Sequence, residues 1–339
     1  MSALEVLVTD YTWDSLKRER AALADVGASL VVAGTGEEAE LVRLAADADA
    51  ILTCFAHVTP AVIRAAPKLR VIGRYGIGVD NIAVQEATRR GIPVTNVPAY
   101  CLDEVAEHVI ALIFCLERGI HRFDRAVRAG DWSLATGQPI RRIAGRTLGV
   151  VGFGKIGRTV AQRAHGLGIR VIAHDPRAPA EAMEAAGAEP VALLELAARS
   201  DYVSVHVPAA PETERLIDAT FLEAMNPGAC LINAARGAVV DQQALTVALR
   251  EGQIAGAGLD VFTPERLAAD DELLMQPRLL ATPHVAFYSE ESVAELATLA
   301  ARNVATVLAG GRPPDTVNPE VYAHGAEMKR GRTSVSSPR

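Results

Sequence analysis

The sequence predicts an α/β protein made of two parallel-sheet domains, and three observations carry this. Short β-branched runs alternate with helical stretches along nearly the whole chain, the pattern of strands joined by helical crossovers. The alternation begins twice, at the N-terminus and again at "RTLGVVGFG" (146–154). The chain has 339 residues, 50% of them hydrophobic, which is enough for two cores rather than one.

The first series offers strands at "EVLVTD" (5–10), "SLVVAG" (29–34), "AILTC" (50–54), "RVIGRYG" (70–76) and "PVTNV" (93–97). Residues 103–118, "DEVAEHVIALIFCLER", read as a long helix with Asp and Glu in its first turn and Arg in its last, which suits the helix dipole. The second series has strands at "TLGVVGF", "RVIAHD" (170–175), "YVSVHV" (202–207), "ACLINAA" (229–235), "IAGAGLDVF" (254–262) and "RLLATP" (278–283). Residues 289–309 read as one amphipathic helix capped by "SEES" and stopped by "GGRPP" (310–314). The polar segment 321–339, with its "MKRGR" run (328–332), is expected to be a disordered tail.

Bulk properties exclude several classes of function. Net charge is −7, with both signs spread along the chain and no basic stripe, so nucleic acid is not an expected partner. The start, "MSALEVLVTD", lacks the basic-then-apolar order of a signal peptide, and no apolar run reaches the ~18 residues of a membrane span. The four cysteines (54, 101, 115, 230) show no CxxC and no metal-ligand spacing. The expectation is inert thiols in a reducing cytoplasm, with no metal.

The glycines of "VVGFGKIG" lie at Gly152, Gly154 and Gly157. They follow a Val-rich strand and open a helix, and the next strand ends at Asp175. In that context the spacing is the Rossmann dinucleotide fingerprint. Gly152 permits a tight turn, Gly154 lets the backbone approach a pyrophosphate, and Gly157 lets helix and strand pack closely. A P-loop reading fails because Ile156 stands where a Ser or Thr hydroxyl is needed. Asp175 is placed to accept from both ribose hydroxyls and would repel a 2′-phosphate, which favours NAD over NADP; Arg177 is the one nearby residue that could welcome a phosphate.

Ligands of open parallel sheets bind outside the C-terminal strand ends. Three late strands are followed there by Arg236, Glu265 and His284. This set suits carbonyl reduction. An arginine takes a substrate carboxylate in two-pronged fashion, a histidine supplies the proton for the new alkoxide, and a glutamate on that histidine stabilises the imidazolium. The other seven histidines (57, 108, 121, 165, 174, 206, 324) lack such company.

These residues sit in a wider set of motifs: "GRYGIGVDNI" (73–82), "VPAYCLDEVAEH" (97–108), "GVVGFGKIG" (149–157), "HDP" (174–176), "VSVHVPAAPET" (203–213), "LINAARGAVVD" (231–241), "AGAGLDVFTPE" (255–265) and "TPH" (282–284). Together they closely resemble the NAD-dependent D-isomer-specific 2-hydroxyacid dehydrogenases, over roughly residues 45–315. The resemblance implies Arg236 as substrate-binding arginine, Glu265 as partner carboxylate and His284 as acid/base. It implies Lys155 and Ile156 at the pyrophosphate, His206, Val207, Pro208 and Thr213 on the adenine side, and Ala234 and Asp260 near the carboxamide. Tyr75, Gly76, Ile77 and Gly78 would hold the substrate carboxylate through backbone N–H groups.

The implied fold is a Rossmann NAD domain (99–286) inserted into a discontinuous flavodoxin-like substrate domain (1–98 and 287–320), with closure over the cofactor. A homodimer through residues 103–145 is also implied. The aromatics of "HVAFYSEE" (284–291) look more like the D-lactate dehydrogenase and C-terminal-binding-protein branches than the phosphoglycerate type. An NAD(H)-responsive binding protein of the C-terminal-binding-protein kind and a phosphoglycerate-type dehydrogenase are the alternatives, with a phosphite- or formate-oxidising variant behind them. Arg74 could pair with a substrate phosphate, pair with the negative tail of another acid, or be structural, and Phe287 could favour an apolar 2-oxo acid or simply pack.

Overall fold

A computed structural model describes residues 4–137 and 139–323. It divides into two compact units. One runs to Tyr100 and resumes at Ser289, and the other spans Cys101–Tyr288. Phe287 and Tyr288 thus fall with the second unit rather than opening the substrate domain at 287. The reason is local: backbone N–H groups of Val285 and Ala286 are tied to Asp260 of the second unit, and Phe287 lies edge-on to His284.

The first unit begins β1 (Leu4–Val8), α1 (Lys17–Leu23), β2 (Ala28–Val32), α2 (Glu38–Ala45) and β3 (Ala50–Thr53). It continues α3 (Pro60–Ala65), β4 (Val71–Arg74), α4 (Val84–Arg89) and β5 (Val94–Thr95). The five strands are parallel in the order β2-β1-β3-β4-β5, a flavodoxin-like sheet. β3 and β4 are buried along their whole length because helices cover both faces, which is why their sequences, AILT and VIGR, show no alternation of apolar and polar residues.

The second unit opens with α5 (Leu102–Glu117) and α6 (Ile120–Arg128). Then come β6 (Thr147–Val151), α7 (Lys155–Gly166), β7 (Arg170–His174), α8 (Ala180–Ala185), β8 (Ala188–Pro190) and α9 (Leu193–Arg199). β9 (Tyr202–Val205), α10 (Ala219–Ala224), β10 (Cys230–Asn233), α11 (Gln242–Glu251), β11 (Gly256–Leu259) and β12 (Leu279–Ala281) complete it. The sheet order β12-β11-β10-β9-β6-β7-β8 is the Rossmann order extended by one strand. β8 is absent from the strands expected above. It contains Pro190 and lies at the sheet edge, where a residue without an N–H is tolerated.

The returning helix α12 (Glu290–Leu308) packs on α1 and on β3, β4 and β5 of the first unit. Its "SEES" start is a reciprocal cap: the Ser289 hydroxyl accepts from the Ser292 N–H at 2.8 Å, and the Ser292 hydroxyl accepts from the Ser289 N–H at 2.9 Å. The tail expected from 321 onward is ordered at its beginning. Val321 is buried, and the Tyr322 ring lies beneath the Arg312 guanidinium at 4.8 Å, contacts that a polar composition does not advertise. The remainder, with the 328–332 basic run, lies outside the described residues.

Candidate active site

Strand register sets the geometry. His174, Val151, Val205, Asn233, Leu259 and Ala281 are paired in one line across the second sheet. The strands therefore end flush, and Asp175, Gly152, His206, Ala234, Asp260 and Thr282 each step off the same edge.

The glycine loop follows from close contacts. Gly152 has φ +93°, and a Cβ there would lie 2.8 Å from the His206 carbonyl and Val207. At Gly157 a Cβ would sit 2.2 Å from the Gly152 carbonyl oxygen, so α7 can start only on a bare backbone. A Cβ on Gly154 would meet nothing within 4 Å, leaving open space at the α7 N-terminus. Gly154 is also the N-cap of α7 and supplies no capping side chain, so the first-turn N–H groups at Lys155 and Ile156 face that space without a side-chain cap. A bare helix N-terminus of this kind can take a phosphate group, and the residues present fit a dinucleotide.

Asp175 is anchored rather than loose. One carboxylate oxygen accepts from the Phe153 N–H at 2.8 Å, fixing it to the glycine loop, and the other accepts from the Arg177 N–H at 2.8 Å. The Arg177 guanidinium turns to Glu212 at 3.0 Å, which offsets the charge that could greet a phosphate. His206 bonds the Ser204 hydroxyl at 2.8 Å, and burial pushes its imidazole down to about 4, so it stays neutral at neutral pH. Thr213 closes the 208–213 turn, its hydroxyl donating to the Pro208 carbonyl at 2.6 Å and accepting from the Ala210 N–H at 2.9 Å. Ala234 packs against the hydrophobic core behind the sheet.

At the next strand ends His284 and Glu265 meet: His284 Nδ1 is hydrogen-bonded to Glu265 Oε1. Both side chains keep solvent access, 23% and 46%, so the pair can be reached by a small molecule. Arg236 donates one guanidinium N–H to the Ala235 carbonyl at 2.8 Å. Its turn is built by Asn233, whose side chain donates to the Arg236 carbonyl at 2.9 Å and accepts from the Ala235 N–H at 3.0 Å. Gly237 is obligatory here, since a Cβ would lie 2.1 Å from the Phe262 carbonyl oxygen. The Glu265 loop is pinned in turn by Gln242 on α11, whose side chain takes both the N–H and the carbonyl of Thr263, at 2.7 and 2.6 Å.

Asp260 has a role that motif reading did not supply. It is 1% exposed. One oxygen accepts from the Thr282 hydroxyl at 2.6 Å and the Val285 N–H at 2.9 Å, and the other from the Ala286 N–H at 2.9 Å. Its carbonyl takes the His284 N–H at 2.8 Å. His108 on α5 reaches the same Thr282 hydroxyl at 3.0 Å. Between these bonds His284 is held at φ +56°, a left-handed conformation that costs a non-glycine residue about 1–3 kcal/mol. The Phe287 ring stands edge-on to His284, with centroids 6.3 Å apart.

In the first unit the "YGIG" stretch follows β4. The expectation that all four N–H groups face a carboxylate needs one correction: the Tyr75 N–H is already donated to the Thr53 carbonyl at 2.8 Å, continuing the sheet. Among the described residues the N–H groups of Gly76, Ile77 and Gly78 have no protein acceptor. The Tyr75 side chain is buried, and burial first, then the charge of Glu19, pushes its phenol well above the ordinary range.

Comparisons with known proteins show which family the chain resembles. The profile of the D-isomer specific 2-hydroxyacid dehydrogenase NAD binding domain matches residues 110–286. A glyoxylate reductase from Korarchaeum cryptofilum is 42% identical over 280 residues, 81% of this chain and 84% of the relative. A D-3-phosphoglycerate dehydrogenase from Mycobacterium leprae is 39% identical over 87% of this chain but only 58% of its own length. Among solved structures, a D-lactate dehydrogenase from Aquifex aeolicus, complexed with NAD and lactic acid, is similar with a TM-score of 0.80. It is 28% identical, covering 99% of this chain and 100% of that one.

Proposed function

Because the chain belongs to the D-isomer-specific 2-hydroxyacid dehydrogenase family, an NAD-linked enzyme family interconverting 2-hydroxy and 2-oxo acids, we propose that His284, Glu265 and Arg236 perform the reaction here. The observation that carries the assignment is the His284–Glu265 pair on strand ends flush with the glycine loop. A bound nicotinamide supplies the hydride that adds to the carbonyl carbon. His284 gives its Nε2 proton to the carbonyl oxygen, and takes it back in the oxidative direction. Glu265, bonded at Nδ1, holds the ring in that orientation and stabilises its charged form. Arg236 binds the substrate carboxylate and polarises the adjoining carbonyl. The open N–H groups of Gly76, Ile77 and Gly78 are the second proposed set of carboxylate donors. Lys155 and Ile156 lie at the proposed pyrophosphate site, with His206, Val207, Pro208 and Thr213 toward the adenine. Ala234 and Asp260 lie toward the carboxamide.

The direct test is NADH oxidation by purified protein across glyoxylate, pyruvate, hydroxypyruvate, phenylpyruvate and 3-phosphohydroxypyruvate. Turnover with none of them would refute the assignment. In the same assay NADH should outperform NADPH in kcat/KM by at least about tenfold, because Asp175 would face the 2′-phosphate as a like charge. Asp175→Ala should narrow that gap, and a wild-type preference for NADPH would overturn the reading of Asp175.

We also propose a homodimer through residues 103–145. Trp132 and Leu134 are 80% and 77% exposed, and Ile120 and Val127 of α6 are exposed beside them, more apolar surface than a solvated loop carries without cost. Trp132→Ser with Leu134→Ser should shift sedimentation velocity profiles toward monomer; unchanged sedimentation would place the interface elsewhere. Among the described residues no helix is long and apolar enough to cross a membrane. All four cysteines are free thiols, and burial pushes Cys54 and Cys230 up to about 12, so neither of these two is a thiolate at neutral pH.

A further inference from the structure

In the first unit the strand order β2-β1-β3-β4-β5 reverses direction between β1 and β3. The loops leaving those two strands diverge at the C-terminal sheet edge, where an open parallel sheet has its crevice. The β1 loop carries Tyr11 and Trp13, and the β3 loop carries Phe55, all three half-buried in a chain with only 4% aromatic residues. Trp13 stands edge-on to Tyr75, with ring centroids 4.8 Å apart at 81°, and Tyr11 leans on Trp13 at 5.8 Å. Tyr75 is the first residue of "YGIG", so the aromatic group adjoins the open N–H groups of Gly76–Gly78.

These rings are held in place by polar anchors. Asp10 accepts from the Cys54 N–H at 2.9 Å and the Phe55 N–H at 2.6 Å, locking the β3 loop to the β1 loop. The Trp13 indole N–H donates to Glu19 at 3.0 Å. Glu19 on α1 is 0% exposed, and burial raises its carboxyl above the usual range. Burying a carboxyl costs stability. Here it fixes the angle of an indole whose remaining surface is still accessible. Neither loop carries a Lys or Arg for a phosphate: residues 9–16 hold two aspartates, and His57 is the one basic residue among 54–59. Arg74 is buried with its guanidinium donating to the Tyr75 carbonyl.

We infer that Tyr11, Trp13 and Phe55 form the side-chain subsite of the enzyme, and that its 2-oxo acid carries a bulky aryl group, as in phenylpyruvate, rather than a hydrogen or a phosphate. This rests on the proposed dehydrogenase reading. An aromatic-lined subsite gains from every apolar group it buries and discriminates most strongly against a substrate lacking them.

The experiment compares kcat/KM for phenylpyruvate, glyoxylate and 3-phosphohydroxypyruvate with NADH, in wild type and in Trp13→Ala, Phe55→Ala and the milder Trp13→Phe. Phenylpyruvate should lead by at least about tenfold in wild type. The Trp13 and Phe55 replacements should lower phenylpyruvate kcat/KM, chiefly through KM, about tenfold more than they lower glyoxylate kcat/KM. Should Trp13→Ala not fold, Trp13→Phe and Phe55→Ala still report. A wild-type preference for glyoxylate or the phosphorylated acid overturns the inference, and so do variants that lower all substrates equally. Both outcomes leave the dehydrogenase assignment standing. Absence of NADH oxidation with every acid removes that assignment, and the subsite with it.

Discussion

His284→Ala is expected to lower kcat for 2-oxo acid reduction by about 10²–10⁴-fold while NADH affinity stays near wild type. The two readouts separate because His284 and the glycine loop leave different strands. His284 follows β12, and the loop at Gly152–Gly157 lies between β6 and α7. Removing the imidazole deletes the proposed proton donor and leaves the glycine loop intact. It leaves the left-handed backbone as it was, since alanine at φ +56° is no better placed than histidine and the Asp260 bonds to the next two residues persist. Stability should therefore change little. Glu265→Gln keeps the shape of the partner and loses its charge, so its kcat should fall between wild type and His284→Ala. Wild-type turnover in His284→Ala would mean that another group delivers the proton.

Asp260→Ala should be the most damaging single change to the scaffold of the site. It strips the acceptor from the buried Ala286 N–H and the part-buried Val285 N–H, and a fully buried donor left unsatisfied costs about 1–3 kcal/mol. The Thr282 hydroxyl can still turn to His108, 3.0 Å away, so it is spared. Two orphaned N–H groups correspond to a Tm drop of roughly 5–15 °C for a unit of this size. Activity should fall further than stability, because the segment carrying His284 loses the bonds that hold its strained backbone. Asp260→Asn retains an acceptor but sets its own NH2 against one of the N–H donors, and should lie between. Calorimetry alongside kcat checks this. A wild-type Tm with wild-type kcat would show that Asp260 positions nothing.

Much of the architecture was legible because it is local. Parallel strands buried on both faces read as unbroken apolar runs, and β3, β4, β6, β9, β10 and β11 stand where such runs occur. The glycine fingerprint is visible because each glycine answers a contact at fixed chain spacing. α6 and β8 were not expected: α6 follows a left-handed Gly119 within a charge-rich stretch, and β8 is three residues long with a proline. Edge strands and short helices are defined by what they pack on, which periodicity does not encode.

The site shows the same division. Arg236, Glu265 and His284 could be named from chain position after strands, because residue type and strand end are properties of the sequence alone. Asn233, Gln242, His108 and the anchoring role of Asp260 could not. Asn233 bonds within its own turn, but the bonds of the others join segments far apart in the chain, such as Asp260 to Val285 and Gln242 to Thr263, and ordinary polar residues carry no sign of their eventual partner. Tyr75 makes the converse point. Its motif suggested an open N–H, yet β3 lies alongside β4 and takes it. The sequence by itself determined the fold class, the dinucleotide fingerprint and the three candidate reacting residues, since these follow from local pattern and spacing. Only the tertiary structure decided which N–H groups remain open, which carboxylate holds the His284 segment and which aromatics share a sheet edge. Those depend on strand register and on hydrogen bonds between residues far apart in the chain.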